Sequence, residues 1–381
     1  MKPELCFVVS APMTAVAFLN GHIDYLSSDY EITVVCNFDG TEKDISKNAH
    51  LKNIRIARKM SPISDLRAVY SLARFLKKGN FQIVHSVTPK AGLITAMAGW
   101  LAKTPIRIHW FTGQVWVLKS GVQRRALKNL DQLIAKLNTA VLVDSPSQRD
   151  FLIEQRIINP TKAQVLGSGS IAGVDTERFR PNPEVRVVTR AELGIDDPNA
   201  PIILFVGRLN HDKGIDTLLE AFSRQTIQQD SYLILVGPDE QNYLDRIPKV
   251  LGERLKNFRY IPFTTEPEKY MAASDIFCLP SLREGFGLAI IEAGSSGLPS
   301  VASRIYGITD SVKEGETGLL IKPGSVDELI GGLTCLLQNA GPRLEMGAHA
   351  RKRVQNLRRI QLLQKGLSDY YLIQVALSGR K

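Results

Sequence analysis

Four charged side chains pose the chemical question in this sequence. Glu284 opens the turn Glu284-Gly-Phe-Gly287, and Glu292 follows eight positions on, after Leu288-Ala-Ile-Ile. Arg208 and Lys213 lie in a second glycine-bounded turn, Gly207-Arg-Leu-Asn-His-Asp-Lys-Gly214. Glycine lets backbone approach a ligand closely, and a helix N-terminus presents unpaired N–H groups to an anion. Two fixed cations suit a diphosphate, each charge-assisted hydrogen bond contributing about 1.5–3 kcal/mol. Taken alone, the 207–214 turn could equally be a solvated basic turn. Two carboxylates beside a phosphate turn would repel the phosphates. They make sense as acceptors of hydrogen bonds from sugar hydroxyls next to a diphosphate, which is the chemistry of a nucleotide-sugar.

Such residues need elements to hold them. Ile276 to Leu279 is a short apolar run closed by Pro280 and Ser281, as a buried parallel strand would be, and helical periodicity resumes at Leu288. Earlier in the chain, β-branched runs predict strands at 5–9, 32–35, 83–85, 106–109, 140–143 and 165–166. Helical patterns fall between them at 13–27, 65–78, 90–103, 121–138 and 145–155. Around 179–201 the pattern dissolves into Arg180-Pro-Asn-Pro183 and Asp196-Asp-Pro-Asn-Ala-Pro201, a linker signal. It restarts with strands at 202–206, 232–236, 259–261, 276–279, 300–302 and 319–321. Helices are expected at 215–225, 241–255, 267–273, 287–296, 326–338 and 342–354, then a last amphipathic stretch at 358–376. Alternation of this kind predicts an α/β chain with parallel sheets, which bind ligands at the carboxyl ends of their strands. The expected order is an N-terminal domain over 1–180, a linker over 181–201, and a C-terminal domain over 202–357. A helix over 358–381 is expected to pack back toward the first domain.

Length and composition agree with two globular domains: 381 residues, 44% hydrophobic and 23% charged. Cys6, Cys36, Cys278 and Cys335 show no metal or redox spacing and read as reduced residues of a cytosolic protein. Lys2 precedes an apolar run, but Pro3-Glu4 leads straight into Leu5-Cys-Phe-Val-Val9 and Pro12 interrupts the segment, which fits a first strand better than a signal peptide. The uncharged stretch 91–102 is too short to span a bilayer. The net charge of +10 is lopsided: residues 1–180 hold 24 Lys and Arg against 14 Asp and Glu, and the remainder balances. An anionic membrane surface or a phosphate-bearing acceptor would account for that excess, as would a plain basic face. No nucleic-acid motif accompanies it.

Taken together, these motifs resemble the retaining glycosyltransferases of family 4, which have the GT-B architecture of two Rossmann-like domains with parallel sheets facing across a cleft. The family signature, Glu, seven residues, Glu, is met by Glu284 and Glu292. Asp275, Pro280-Ser281, Gly297-Leu-Pro299, Gly307, Gly315-Glu-Thr-Gly318 and Gly173-Val-Asp-Thr-Glu-Arg-Phe179 match as well. The resemblance implies that Gly207, Arg208 and Lys213 hold the donor diphosphate, and that the two cations stabilise the leaving group. It implies that the amides of Phe286 and Gly287, within the 285–288 turn of Gly285 and Leu288, lie near phosphate and sugar. Glu284 would read sugar hydroxyls and Glu292 the ribose. Front-face attack needs no carboxylate nucleophile, and no Asp-X-Asp motif is present, so neither metal nor other cofactor is expected.

The first domain departs from the family pattern. Its first loop, usually Gly-rich, reads Ser10-Ala-Pro-Met-Thr14. The family's strand-end histidine corresponds either to His109, a catalytic candidate, or to the position of Thr112. A histidine at a strand end can equally be a structural residue. The segments His85-Ser-Val-Thr-Pro-Lys90-Ala-Gly92, Thr112-Gly113-Gln-Val-Trp116 and Gly167-Ser-Gly-Ser170 resemble a branch acting on undecaprenyl-diphosphate-linked acceptors in bacterial glycan assembly. On that resemblance Lys90, Thr112 and Gly113 face the acceptor, although Lys90 also reads as a surface residue in a capping region. Helix 121–138 sets Arg124, Arg125 and Lys128 off its apolar stripe, either toward water or toward anionic lipid. The expected reaction moves a hexose or N-acetylhexosamine, first of all from a UDP-sugar, to a lipid-linked saccharide. Rival readings are a soluble acceptor, a nucleotide-sugar epimerase or phosphorylase, and a non-catalytic sugar-nucleotide-binding protein.

Overall fold

The computed structural model describes residues 2–57, 61–224, 230–357 and 360–379. Two compact units divide the chain: Met1–Gly173 with Ile360–Lys381, and Val174–Arg359.

Seven parallel strands form the sheet of the first unit: β1 (Glu4–Val8), β2 (Glu31–Cys36), β3 (His50–Asn53), β4 (Ile83–Val87), β5 (Ile106–Phe111), β6 (Ala140–Val143) and β7 (Ala163–Val165). Their order is β3-β2-β1-β4-β5-β6-β7. The helices that follow them are α1 (Pro12–Phe18), α2 (Asn20–Leu26), α3 (Pro62–Lys78), α4 (Pro89–Leu101), α5 (Gly121–Leu137) and α6 (Pro146–Glu154). Leu5, Cys6, Phe7 and Val8 are all fully buried, which requires cover on both faces of the sheet and explains why these strands read as unbroken apolar runs. The edge strand β3 escapes sequence reading because all four of its residues are exposed and only its ladder to β2 defines it. The single helix expected at 13–27 is two, broken at the buried Leu19.

In the second unit, six parallel strands run in the order β10-β9-β8-β11-β12-β13. They are β8 (Ile202–Val206), β9 (Tyr232–Val236), β10 (Phe258–Ile261), β11 (Ile276–Leu279), β12 (Ser300–Ser303) and β13 (Gly318–Ile321). The helices are α7 (Pro183–Glu192), α8 (Ile215–Ser223), α9 (Ile247–Leu251), α10 (Pro267–Ala273), α11 (Leu288–Ser295), α12 (Ile308–Ser311), α13 (Val326–Gln338) and α14 (Ala340–Leu357). The C-terminal end of the helix expected at 215–225 falls partly outside the described residues, as does Arg358 at the head of the last helical stretch.

Two stretches differ from expectation. Residues 181–201, read as a linker, contain α7. Asn182 is its N-cap, accepting from the Val185 amide at 3.1 Å, and Pro183 is its first residue, where a missing N–H costs nothing. The helix is fixed to its unit through Asp275. Arg186 donates to that carboxylate at 2.9 Å, Arg190 lies 3.6 Å from it, and the Ile202 amide donates to it at 2.9 Å. Conversely, 241–255 is not one helix. Asp239 accepts from the amides of Gln241 and Leu244 and holds a turn, and helix begins only at Ile247.

The last helix, α15 (Ile360–Ser378), belongs to the first unit. It is tied there by Tyr371, whose hydroxyl meets His85 Nδ1 at 2.6 Å, and by Gln364, which donates to the Gly21 carbonyl at 2.7 Å.

Candidate active site

In the second unit the strand order reverses between β8 and β11, because β8 has β9 on one side and β11 on the other. Loops leaving the carboxyl ends of two such strands diverge and open a crevice. Those loops are 207–214 and 280–287, so the four residues singled out by their chemistry lie on the two loops or, for Glu292, on the helix that follows.

The loops are stitched together. Asn210 caps a short turn, His211–Lys213, by accepting from the Lys213 amide at 3.2 Å. Gly214 then takes a left-handed conformation (φ +72°), and a side chain there would overlap the Pro280 carbonyl oxygen. The Leu282 amide donates to the Asp212 carbonyl at 2.8 Å, and Arg283 pairs with the Asp212 carboxylate at 2.6 Å. One residue further along each loop, Lys213 pairs with Glu284. Ser281 donates to the same Glu284 oxygen at 3.0 Å. Gly307 (φ +81°) closes the other side of the turn, since a side chain there would overlap the Gly285 carbonyl oxygen.

Arg208 does not join that pair. Its guanidinium donates to Glu240 at 2.9 Å, and Asn210 Nδ2 donates to the same oxygen at 2.9 Å. Glu292 is the fifth residue of α11. Burial pushes its carboxyl up to about 7, with Arg178 pulling it down and Glu268 pushing it further up. Arg178 itself is engaged with Glu268 at 2.7 Å. The Phe286 ring is buried in the core of the second unit, and Gly287 precedes the half-buried Leu288 at the head of α11.

In the first unit the reversal lies between β1 and β4. Ser10 and Thr88, from the loops after these strands, approach at 3.4 Å between hydroxyls. Thr88 has φ +77° and ψ 144°, a conformation that strains a β-branched residue. Lys90 pairs with Asp65 and is largely covered, so its charge is compensated within the unit. Thr112 and Gly113 are half-buried beyond β5, and the Thr112 carbonyl accepts from Gln148 at 2.7 Å.

His109 lies within β5. It is 1% exposed, its Nδ1 meets Ser86 Oγ at 2.9 Å, and its ring crosses that of Phe111 edge to face. Gly92 of α4 leaves room for that ring, because a side chain there would collide with it. Burial lowers the imidazole's proton affinity to a pKa of about 3, against a small opposing contribution from Ser86. His109 is therefore a buried, neutral imidazole packed between the sheet and α4.

Sequence reading missed Glu240, Asp212 and Arg283, and cited Ser281 only as part of the family pattern. Glu240 had a signal available: Gly237-Pro-Asp-Glu240 follows β9 and ends at the same carboxyl edge. The Asp212–Arg283 pair had none, because no periodicity relates two loops 71 positions apart.

Comparison with known proteins covers both units. The family described as glycosyl transferases group 1 matches residues 189–353, and the glycosyl transferase 4-like domain matches residues 26–169. A capsular polysaccharide biosynthesis glycosyltransferase, CapM of Staphylococcus aureus, is 26% identical over 97% of each chain. The UDP-Gal:alpha-D-GlcNAc-diphosphoundecaprenol alpha-1,3-galactosyltransferase of Escherichia coli is 28% identical over 81% of this chain and 80% of that one. Among solved structures, Anabaena Alr3699/HepE in complex with UDP and glucose superposes with a TM-score of 0.80, covering 96% of this chain and 98% of that one at 18% identity, which speaks to the fold.

Proposed function

This chain belongs to the glycosyltransferases of the GT-B fold, and from that premise we propose that it is a retaining enzyme of family 4. It moves a hexose or N-acetylhexosamine from a UDP-sugar to an undecaprenyl-diphosphate-linked saccharide, working at the cytoplasmic face of the membrane. The observation that carries this reading is the Lys213–Glu284 pair at the sheet reversal of the second unit. It puts a cation and a carboxylate side by side, where a sugar diphosphate has one anionic and one hydroxyl-rich end.

Arg208 and Lys213 carry compensating carboxylates, Glu240 and Glu284. A donor diphosphate offers both cations a more highly charged partner, and exchange frees Glu284 to accept hydrogen bonds from sugar hydroxyls. As the bond to the anomeric carbon breaks, charge grows on the departing diphosphate, and cations already aimed at it lower the barrier. Glu292, held partly protonated near neutrality, accepts from the ribose hydroxyls. The backbone of Gly285, Phe286 and Gly287 lies beside the phosphates, and no divalent metal takes part. Homology to an enzyme named for a diphosphoundecaprenol substrate supports the acceptor class. The test is a transfer assay with UDP-, GDP- and dTDP-sugars against undecaprenyl-diphosphate saccharides, with anomeric analysis of the product. Activity confined to soluble acceptors, or an inverted product, overturns the reading.

A further inference from the structure

The buried face of α3 is ordinary: Ala68, Val69, Leu72 and Leu76 pack into the core of the first unit. Its outer face is not. A surface helix presents charged or polar residues on the side opposite its core, yet here Ile63, Leu66 and Tyr70 are 70%, 67% and 67% exposed. At roughly 100° per residue these three fall within one arc, together with the exposed Arg67, Arg74 and Lys77. Ile63 and Leu66 lie in the first two turns of that face with Arg67 beside them, Tyr70 follows in the third, and Arg74 and Lys77 lie in the last two. The one acid of the helix, Asp65, lies off this face and is paired with Lys90. Arg67, Arg74 and Lys77 have no carboxylate partner among the described residues.

We propose that the outer face of α3 is the surface with which this protein docks on an anionic lipid bilayer, Ile63, Leu66 and Tyr70 entering the acyl boundary and Arg67, Arg74 and Lys77 meeting headgroup phosphates. Charge selects this occupant. The charges on the face are all positive, and it belongs to the half of the chain that holds the whole excess of +10. The combination of apolar anchors and a polybasic margin is that of an interfacial helix. Position supports it as well. The Asp65–Lys90 pair joins the first turn of α3 to the first turn of α4, beside the carboxyl end of β4. A membrane at α3 therefore lies next to the loops of the first sheet that would receive a lipid-linked acceptor. The basic helix α5 is a weaker candidate. Arg124 and Lys128 lie over the Trp116 ring at 5.7 and 5.6 Å, and Lys128 also donates to Gln155 at 3.0 Å.

The docking surface rests on the lipid-linked reading of the acceptor, and the two can fail separately. The full chain is sedimented with phosphatidylglycerol-containing vesicles and with pure phosphatidylcholine vesicles. Binding should favour the former. The triple variant Ile63→Ser/Leu66→Ser/Tyr70→Ser should weaken it about tenfold or more, and Arg67→Glu/Arg74→Glu/Lys77→Glu by about 10²-fold. Arg124→Glu/Arg125→Glu should change it little. Vesicle binding unchanged in both α3 variants, or lost in the α5 variant instead, overturns the proposal, as does a wild-type dimer that the serine variant converts to monomer. Transfer to a short-chain prenyl-diphosphate saccharide in detergent should survive in both α3 variants. If wild type binds vesicles through α3 but transfers to no lipid-linked saccharide, the acceptor reading falls and the surface stands.

Discussion

Lys213 and Glu284, 71 positions apart in the chain, form an ion pair across the two loops that leave the carboxyl ends of β8 and β11. Both side chains are largely covered, so the pair is screened less than a surface salt bridge would be. In the proposed mechanism each partner also binds the donor, which makes the pairing a resting arrangement that donor binding must exchange.

Lys213→Ala removes one of the two cations proposed to face the departing diphosphate and leaves Glu284 without its ion-pair partner. Turnover should fall by on the order of 10²-fold or more, by analogy with the loss of a preorganised transition-state partner. Steady-state kinetics with saturating donor measure it, and near-normal turnover would take Lys213 out of the mechanism.

Glu284→Gln keeps the shape of the side chain but weakens its acceptance from sugar hydroxyls. Sugar transfer should drop by about tenfold or more, while affinity for free UDP, read by calorimetry, should hold or improve because Lys213 is released. Collapse of UDP affinity would mean that the roles of Glu284 and Glu292 have been exchanged.

The two turns that carry Arg208, Lys213 and Glu284 were legible in the sequence because they are contiguous Gly-bounded segments directly after apolar strands. Strand ends and loops can be read locally, and the reversal at β8 and β11 brings them together. Asp212 became visible only in three dimensions, since its pairing depends on which loops are neighbours, whereas Glu240 stands in a turn directly after β9 that could have been read locally. Residues 181–201 misled for a local reason: in Asn182-Pro183 the proline starts a helix instead of ending one. The burial of His109 against α4 was not legible in sequence, because a strand-end histidine and a packed one have the same local pattern.

Asp275, one of the residues matched to the family pattern, acquires a structural role. It accepts from Arg186 and the Ile202 amide and lies beside the buried Arg190. Asp275→Ala should destabilise the second unit by about 3–5 kcal/mol, the usual cost of leaving a buried charge unpaired. Denaturant unfolding should register this, and a loss under about 1 kcal/mol would reduce the cluster to an ordinary surface ion pair.

Removal of divalent metal should not matter. With Arg208 and Lys213 supplying the positive charge, turnover in excess EDTA should stay within about twofold of the untreated enzyme. Loss of activity restored by magnesium or manganese would show that the two side chains are insufficient.

Glu292 should give the enzyme a pH dependence near neutrality. Burial raises its carboxyl from 4.5 to about 7, so the folded chain holds a proton that the unfolded chain has already released between those values. The contribution of this group to stability therefore declines as pH rises through that window. For binding the sign is opposite. The ionised carboxylate is the better acceptor for ribose hydroxyls, so the donor KM should fall as pH rises through about 7. Glu292→Gln should flatten that limb of the profile and remove the matching slope in thermal stability. A KM limb that persists in Glu292→Gln assigns the titration to another group and detaches Glu292 from the ribose.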